Sequence, residues 1–194
     1  MSIGAETILL VGGGGHCRSV IDVIEQDGRY KIAGIVDRRE LVGQQVLGYT
    51  VVGCDDDLES LALSCENAIV TVGHLRSNSV RLSLYELLKK IGYSLPIVIS
   101  PLAYVSKHAH IGEGTVVMHH ALVNASARVG VNCIVNSKAL IEHDVMVGDH
   151  CHISTASVLN GGAVVADNTF FGSNAASRQE AKLSGFIKAG SLAK

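Results

Sequence analysis

From Val105 onward a large apolar side chain recurs at every sixth position: Val105, Ile111, Val117, Val123, Val129, Val135, Ile141, Val147, Ile153, Leu159, Val165 and Phe171. Four residues after each stands a compact one: Ala109, Thr115, Ala121, Ala127, Cys133, Ala139, Val145, Cys151, Ser157, Ala163, Thr169 and Ala175. That makes twelve hexads without a break. Neither the period of a helix nor that of a lone strand produces a strict six. A hexad fits one short flat strand and a turn, and three hexads close a triangular coil. The aliphatic residue then points to the axis and stacks on its equivalent one coil away. The small residue fits the cramped corner. Coils pair as parallel strands about 4.8 Å apart, so twelve hexads predict four coils, a prism roughly 20 Å tall. The period itself specifies a solenoid and leaves its hand open.

Beyond the last hexad the frame breaks. Ser177–Lys182 reads as a loop and Phe186–Leu192 as a resumed hexad. The first hundred residues follow another pattern. Apolar runs at Ile8–Val11, Ile32–Val36, Ala68–Val72 and Ser94–Ile99 predict strands. Helical spacing at Cys17–Gln26, Asp56–Cys65 and Asn78–Ile91 predicts helices. Strands alternating with helices predict a parallel sheet of Rossmann type, with the boundary near Pro101. The expected organisation is an α/β domain over residues 1–100 and an all-β helix over residues 101–194.

Composition narrows the partners. The chain has 194 residues, 47% hydrophobic and 18% charged, so it belongs to the globular class. A net charge of −2 gives no reason to expect nucleic acid or an anionic membrane as partner. The five cysteines, Cys17, Cys54, Cys65, Cys133 and Cys151, are odd in number and form no CxxC, so neither a disulfide framework nor a cysteine zinc site is indicated. Met1–Thr7 lacks the basic start of a secretory leader, and a cytoplasmic location is expected.

Two stretches could carry chemistry. Gly12, Gly13, Gly14 and Gly15, followed by His16, lie between a predicted strand and a predicted helix. Glycines there let a ligand approach the backbone, and the helix N-terminus offers N–H groups to phosphate. Read as GxGxxG, the third glycine is Cys17, so the dinucleotide fingerprint fails. Asp37 closes the second strand, where the ribose-binding acid of that motif sits. A bare tight turn is the other reading, and the strand–turn–helix context favours nucleotide binding. The second stretch is Ile141-Glu142-His143-Asp144. The register puts His143 third in its hexad, off the axis, with Ala125 one coil earlier and Gly161 one coil later. A histidine between the two smallest residues has room for a ligand, and a neighbouring carboxylate can orient it as a general base. From spacing alone, a surface histidine beside acids fits equally. A zinc site of the γ-carbonic anhydrase kind needs two histidines five apart; none of the nine are so spaced, and no metal is expected.

Together, Gly12–His16, Asp37, the hexads and Ile141–Asp144 resemble the sialic-acid/bacillosamine family of sugar O- and N-acyltransferases over almost the whole chain. The resemblance implies a left-handed parallel β-helix behind a Rossmann-like nucleotide-sugar-binding domain. It implies acetyl-CoA as cosubstrate and transfer to a nucleotide-linked amino sugar, such as a UDP-4-amino-4,6-dideoxy sugar, in surface glycan synthesis. It implies His143 as base with Asp144 as partner; many members carry Glu at that second place, and Glu142 could share the task. His152 would contact the acetyl group or coenzyme, Asn136 the sugar nucleotide, and Gly161 would let the pantetheine arm pass. Gly12, Gly13, Gly14, His16, Asp37, Arg38 and the loop at Gly73 would form the nucleotide-sugar pocket. It also implies a homotrimer with the active site between two helices. Val116, Leu122, Ile134, Leu140, Met146, Val158 and Val164 are apolar yet off the axial series, so some should be covered by another subunit. The competing readings are O-acetylation of a free sialic-acid-like sugar, a non-catalytic nucleotide-sensing scaffold, and an NAD-linked enzyme.

Overall fold

Strand β1 (Glu6–Val11) is apolar on both faces where it is buried, as a strand covered from both sides must be. It is followed by α1 (Gly15–Asp27), β2 (Tyr30–Val36), β3 (Gln45–Val46), β4 (Tyr49–Gly53), α2 (Leu58–Leu61), β5 (Asn67–Val70) and α3 (Ser79–Ile91). The sheet order is β3-β4-β2-β1-β5, parallel except for β3 against β4. Helix α1 buries Cys17, Val20, Ile21, Val23 and Ile24 and stops at Gly28, whose φ of 70° lets its N–H return to the Ile24 carbonyl. These elements form a Rossmann-like unit. The computed structural model describes residues 6–74 and 77–194. It divides into a unit running to Gly73 and including Ser79–Pro96, and a second comprising His74–Asn78 and Ile97–Lys194.

Three elements differ from the sequence reading. The segment expected as one helix, Asp56–Cys65, is a 3-10 turn (Asp55–Asp57) and a single α-turn, because the Ser64 and Cys65 N–H groups both fold back onto the Leu61 carbonyl. The β3–β4 hairpin was not read. Its turn residues Leu47 and Gly48 have φ of 49° and 88°, both positive as in a two-residue hairpin turn, but leucine replaces the usual Asn or Asp signal. The run Ser94–Ile99 is not one strand. Ser94 forms a lone bridge to Asn67, Pro96 interrupts the ladder, and Val98–Ile99 pair with Val116–Val117 in the second unit.

The second unit is a left-handed parallel β-helix of two-residue strands in three sheets of six, five and six strands. Val105, Val123, Ile141 and Leu159 stack along the axis through pairings 18 residues apart. Ile141 and its neighbours Val123 and Leu159 are fully buried, so Ile141→Ala would remove about 2–5 kcal/mol of stability. The segment Ser177–Lys182 is not the expected loop. Ala176–Ser177 and Lys182–Leu183 are strands that continue the frame. A serine on the axis hides the repeat; its hydroxyl oxygen accepts the Asn160 N–H at 2.8 Å, which removes the penalty of burying it. The coil then shortens, with Phe170 pairing Phe186.

From Gly114 to Glu180 every sixth residue, one per corner, has positive φ, including Lys138 (61°), Asp144 (62°) and His150 (58°). The N–H groups of these three donate to carbonyls of the corner one coil earlier: Lys138 to His119, Asp144 to Ala125, His150 to Val131. These bonds offset the strain of non-glycine residues in the left-handed region. Among the off-axis apolar residues, Val116 and Ile134 are already fully buried in the single chain, whereas Met146 (52% exposed) and Val164 (40%) face outward. Among the described residues no helix is long and apolar enough to cross a membrane.

Candidate active site

His143 stands at the corner that follows Leu140–Ile141. Its N–H donates to Glu142 Oε2 (3.2 Å), its carbonyl accepts the Gly162 N–H (3.1 Å), and the Asp144 N–H is tied to Ala125. The backbone is therefore pinned from the coils on both sides while the side chain stays out. The ring and the Asp144 carboxylate are exposed, with Nδ1 2.8 Å from Asp144 Oδ2. A carboxylate accepts, so Nδ1 carries the proton; in the neutral ring Nε2 is then a lone pair, with no hydrogen-bond partner among the described residues. The Asp144 contact, seconded by the charges of Asp144 and Glu142, holds the imidazole pKa above its ordinary value. Glu142 does not reach the ring. It takes the His143 N–H and the Asn124 amide (2.8 Å). Asn124 was not singled out from the sequence.

Gly161 lies against the ring face. A Cβ there would sit 2.7 Å from His143 Cε1 and 2.8 Å from Nε2, so any side chain would displace the imidazole. Gly161 is buried, and its N–H donates to no group among the described residues. A lone-pair nitrogen and an open N–H at one corner are the parts needed to remove a proton and to hold an oxyanion.

Asn136 and His152 come together at another corner, the one that precedes Leu140–Ile141. Asn136 Nδ2 lies 3.0 Å from His152 Nε2, and His152 Nδ1 2.5 Å from the His74 carbonyl. His152 is 5% exposed and packs edge-on against Phe170. The six residues between Asn136 and His143 span the whole of one prism face, so the two corners of one chain are separate.

In the first unit, Gly12, Asp37 and Arg38 line a cavity of about 390 Å³ together with Arg39, Cys54, Asp55, Asp56, Val72, Val80 and Leu84. The Asp37 carboxylate accepts the Gly13 N–H (2.6 Å) and the Arg38 N–H (2.7 Å), and so ties the glycine turn to the end of β2. Gly12 has φ of 109° and touches Val72, so no side chain fits. A Cβ added at Gly14 or Gly15 would meet nothing within 4 Å, and one at Gly73 would lie 3.8 Å from His16 Cβ. Cys17, in place of the third glycine, is buried; burial pushes its thiol up to about 11, so it packs and does not react. Sequence reasoning missed Asp55. Asp56 pairs with Arg39 and Asp57 caps Cys54, but the Asp55 side chain has no hydrogen-bond or ion-pair partner among the described residues and lines the cavity. Partial burial, then Asp37 and Asp56, hold its carboxyl above the ordinary range.

This combination, a glycine-turn cavity on a Rossmann-like unit and an open histidine–carboxylate corner on a β-helix, defines a hexapeptide-repeat transferase. Residues 7–88 match the family described as the PglD N-terminal domain. The acetyltransferase domain of PglB from Neisseria gonorrhoeae FA1090 is 30% identical, with 97% of this chain and 91% of that chain covered and a TM-score of 0.90. The same domain in complex with acetyl coenzyme A is 31% identical over 96% and 90% of the two chains, with a TM-score of 0.88. PerB from Caulobacter crescentus, solved in complex with CoA and GDP-perosamine, is 31% identical over 100% and 91%, with a TM-score of 0.90. No curated protein matches the chain. The chain belongs to the sugar acetyltransferases of the hexapeptide-repeat family and is an enzyme.

Proposed function

We propose that this protein transfers the acetyl group of acetyl-CoA to the amine of a nucleotide-linked amino sugar, with His143 as general base. The observation that carries this reading is the 2.8 Å contact from His143 Nδ1 to Asp144, with Nε2 left open above Gly161. The amine nitrogen attacks the thioester carbonyl and gives its proton to His143 Nε2. Asp144 stabilises the imidazolium. The Gly161 N–H holds the oxyanion. As the C–S bond breaks, the imidazolium returns the proton to the thiolate of coenzyme A. General-base action of this kind contributes about 10²–10⁴-fold. No metal takes part in this scheme.

The nucleotide part of the sugar is assigned to the cavity at Gly12, Asp37 and Arg38, with Gly13, Gly14, His16 and Gly73 around the turn. Support comes from PerB, whose solved complex holds GDP-perosamine. An amine acceptor is favoured over a hydroxyl because a perosamine N-acetyltransferase is among the similar structures. Incubating the protein with acetyl-CoA and GDP-perosamine, a UDP-4-amino-4,6-dideoxy sugar or free sialic acid tests this. N-acetylated nucleotide sugar by mass spectrometry supports it; turnover of sialic acid alone contradicts it.

The working form is a homotrimer. Asn136 and His143 of one chain stand at opposite ends of one prism face, and the half-buried Leu122, Leu140 and Val158 form an apolar ladder on that face. A second chain would cover the ladder and complete the site. Light scattering should give about three times 20.4 kDa; the mass of one chain would contradict the assembly.

A further inference from the structure

We infer that His152 serves the reaction through Asn136, as a neutral ring that turns the Asn136 amide into a fixed hydrogen-bond donor. The inference rests on the reading above that Asn136 faces the sugar nucleotide.

Both ends of the network force its polarity. The His74 carbonyl can only accept, so His152 Nδ1 carries the proton across the 2.5 Å contact. The Ser137 N–H can only donate, and it lies 2.8 Å from Asn136 Oδ1, so the amide oxygen is the atom turned that way. The amide nitrogen therefore faces His152 Nε2 at 3.0 Å and donates to it. Nε2 must be a lone pair, and the ring is neutral. Reversing the Asn136 amide would break both of its bonds at once.

The ring is also held in place. His152 is 5% exposed and lies edge-on to Phe170, with ring centroids 5.2 Å apart and an interplanar angle of 85°. Its strand pairs with Ile134–Val135 and Phe170–Phe171 on the coils either side. Both ring nitrogens are engaged within the chain. Asn136 has one amide hydrogen beyond the one given to His152, and the residue is half-buried at the corner. What the arrangement offers is a single oriented N–H, suited to an acceptor oxygen: a sugar hydroxyl, a ring oxygen or a phosphate. His152 is thus a positioning residue.

A double-mutant cycle with kinetics on GDP-perosamine or a UDP-4-amino-4,6-dideoxy sugar tests this. His152→Phe keeps an aromatic ring beside Phe170 but cannot accept from Asn136. It should raise KM for the sugar nucleotide about tenfold, the effect of one oriented hydrogen bond, and leave KM for acetyl-CoA unchanged. Asn136→Ala should do the same, and the double variant should be no worse than Asn136→Ala. His152→Gln, which can donate to His74 and accept from Asn136, should restore most of the affinity; it also keeps the test open should the Phe variant misfold. Additive effects, or a rise in KM for acetyl-CoA with sugar affinity intact, would overturn the inference. A wild-type sugar KM in Asn136→Ala would instead overturn the placement of Asn136 at the substrate.

Discussion

His143 and His152 are the same residue type on the same prism, nine positions apart, and the structure makes them different chemical tools. Both carry the proton on Nδ1 and give it to an acceptor. Their outer nitrogens differ. The His143 ring is exposed, and Gly161, having no side chain, leaves the imidazole room to stand at its corner. His152 Nε2 is buried and already filled by Asn136. His143 has a carboxylate as acceptor, which favours the charged ring; His152 has a neutral carbonyl, which does not. A histidine in a repeat is therefore not catalytic by its spacing. What decides is whether the second nitrogen is left without a partner where a substrate can come.

The comparison breaks first at His143 itself. His143→Ala should lose about 10²–10⁴-fold in kcat while acetyl-CoA still binds by calorimetry; near wild-type turnover would remove it from the mechanism. Gly161→Ala comes next. The backbone there tolerates alanine, since its φ lies outside the left-handed region, so the added methyl acts only on the imidazole. A ring displaced by about 1 Å should lose roughly 10²-fold in kcat with the melting temperature unchanged; full activity would show that the ring position does not matter.

Asp144→Asn should have a smaller effect and a diagnostic one. Asp144 holds the His143 pKa above its ordinary value, and a general base there would work only when neutral, so the acid limb of kcat/KM should lie higher than an unassisted histidine would set it. Losing the charge lowers that pKa. The limb should move to lower pH while the plateau drops about tenfold, the scale of a charge-assisted hydrogen bond. Glu142→Gln should change kcat by less than about fivefold, the scale of an exposed charge, because Glu142 holds Asn124 and the backbone and not the ring. If Glu142→Gln shifted the acid limb and Asp144→Asn did not, the assignment of the partner would be reversed.

Much of this was legible before any coordinates. The hexad register alone sets His143 off the axis and Gly161 directly over it, because a coil of three hexads repeats every 18 residues. The glycine turn and Asp37 were legible from strand–turn–helix order, and the structure adds that Asp37 closes the turn through Gly13. Other features were hidden for physical reasons. Ser177 is polar, yet it occupies the axis because a backbone N–H satisfies it. Asp55 looks like its two acidic neighbours in the sequence and differs in lining the cavity without a partner among the described residues. The tie from His152 to the His74 carbonyl joins residues 78 apart through a backbone atom, which no side-chain pattern reveals. The family resemblance implies that His152 contacts the acetyl group or the coenzyme; the partners of its ring nitrogens, Asn136 and the His74 carbonyl, are set by the fold and carry no signal in the sequence.

The difference between the two histidines is directly observable in long-range proton–nitrogen spectra of the ¹⁵N-histidine-labelled protein, assigned with His143→Gln and His152→Gln. The account predicts that His152 is the neutral Nδ1–H form, and that the His143 ring titrates above the ordinary histidine value and loses that shift in Asp144→Asn. A proton on Nε2 of His152, or a His143 titration indifferent to Asp144, would contradict it.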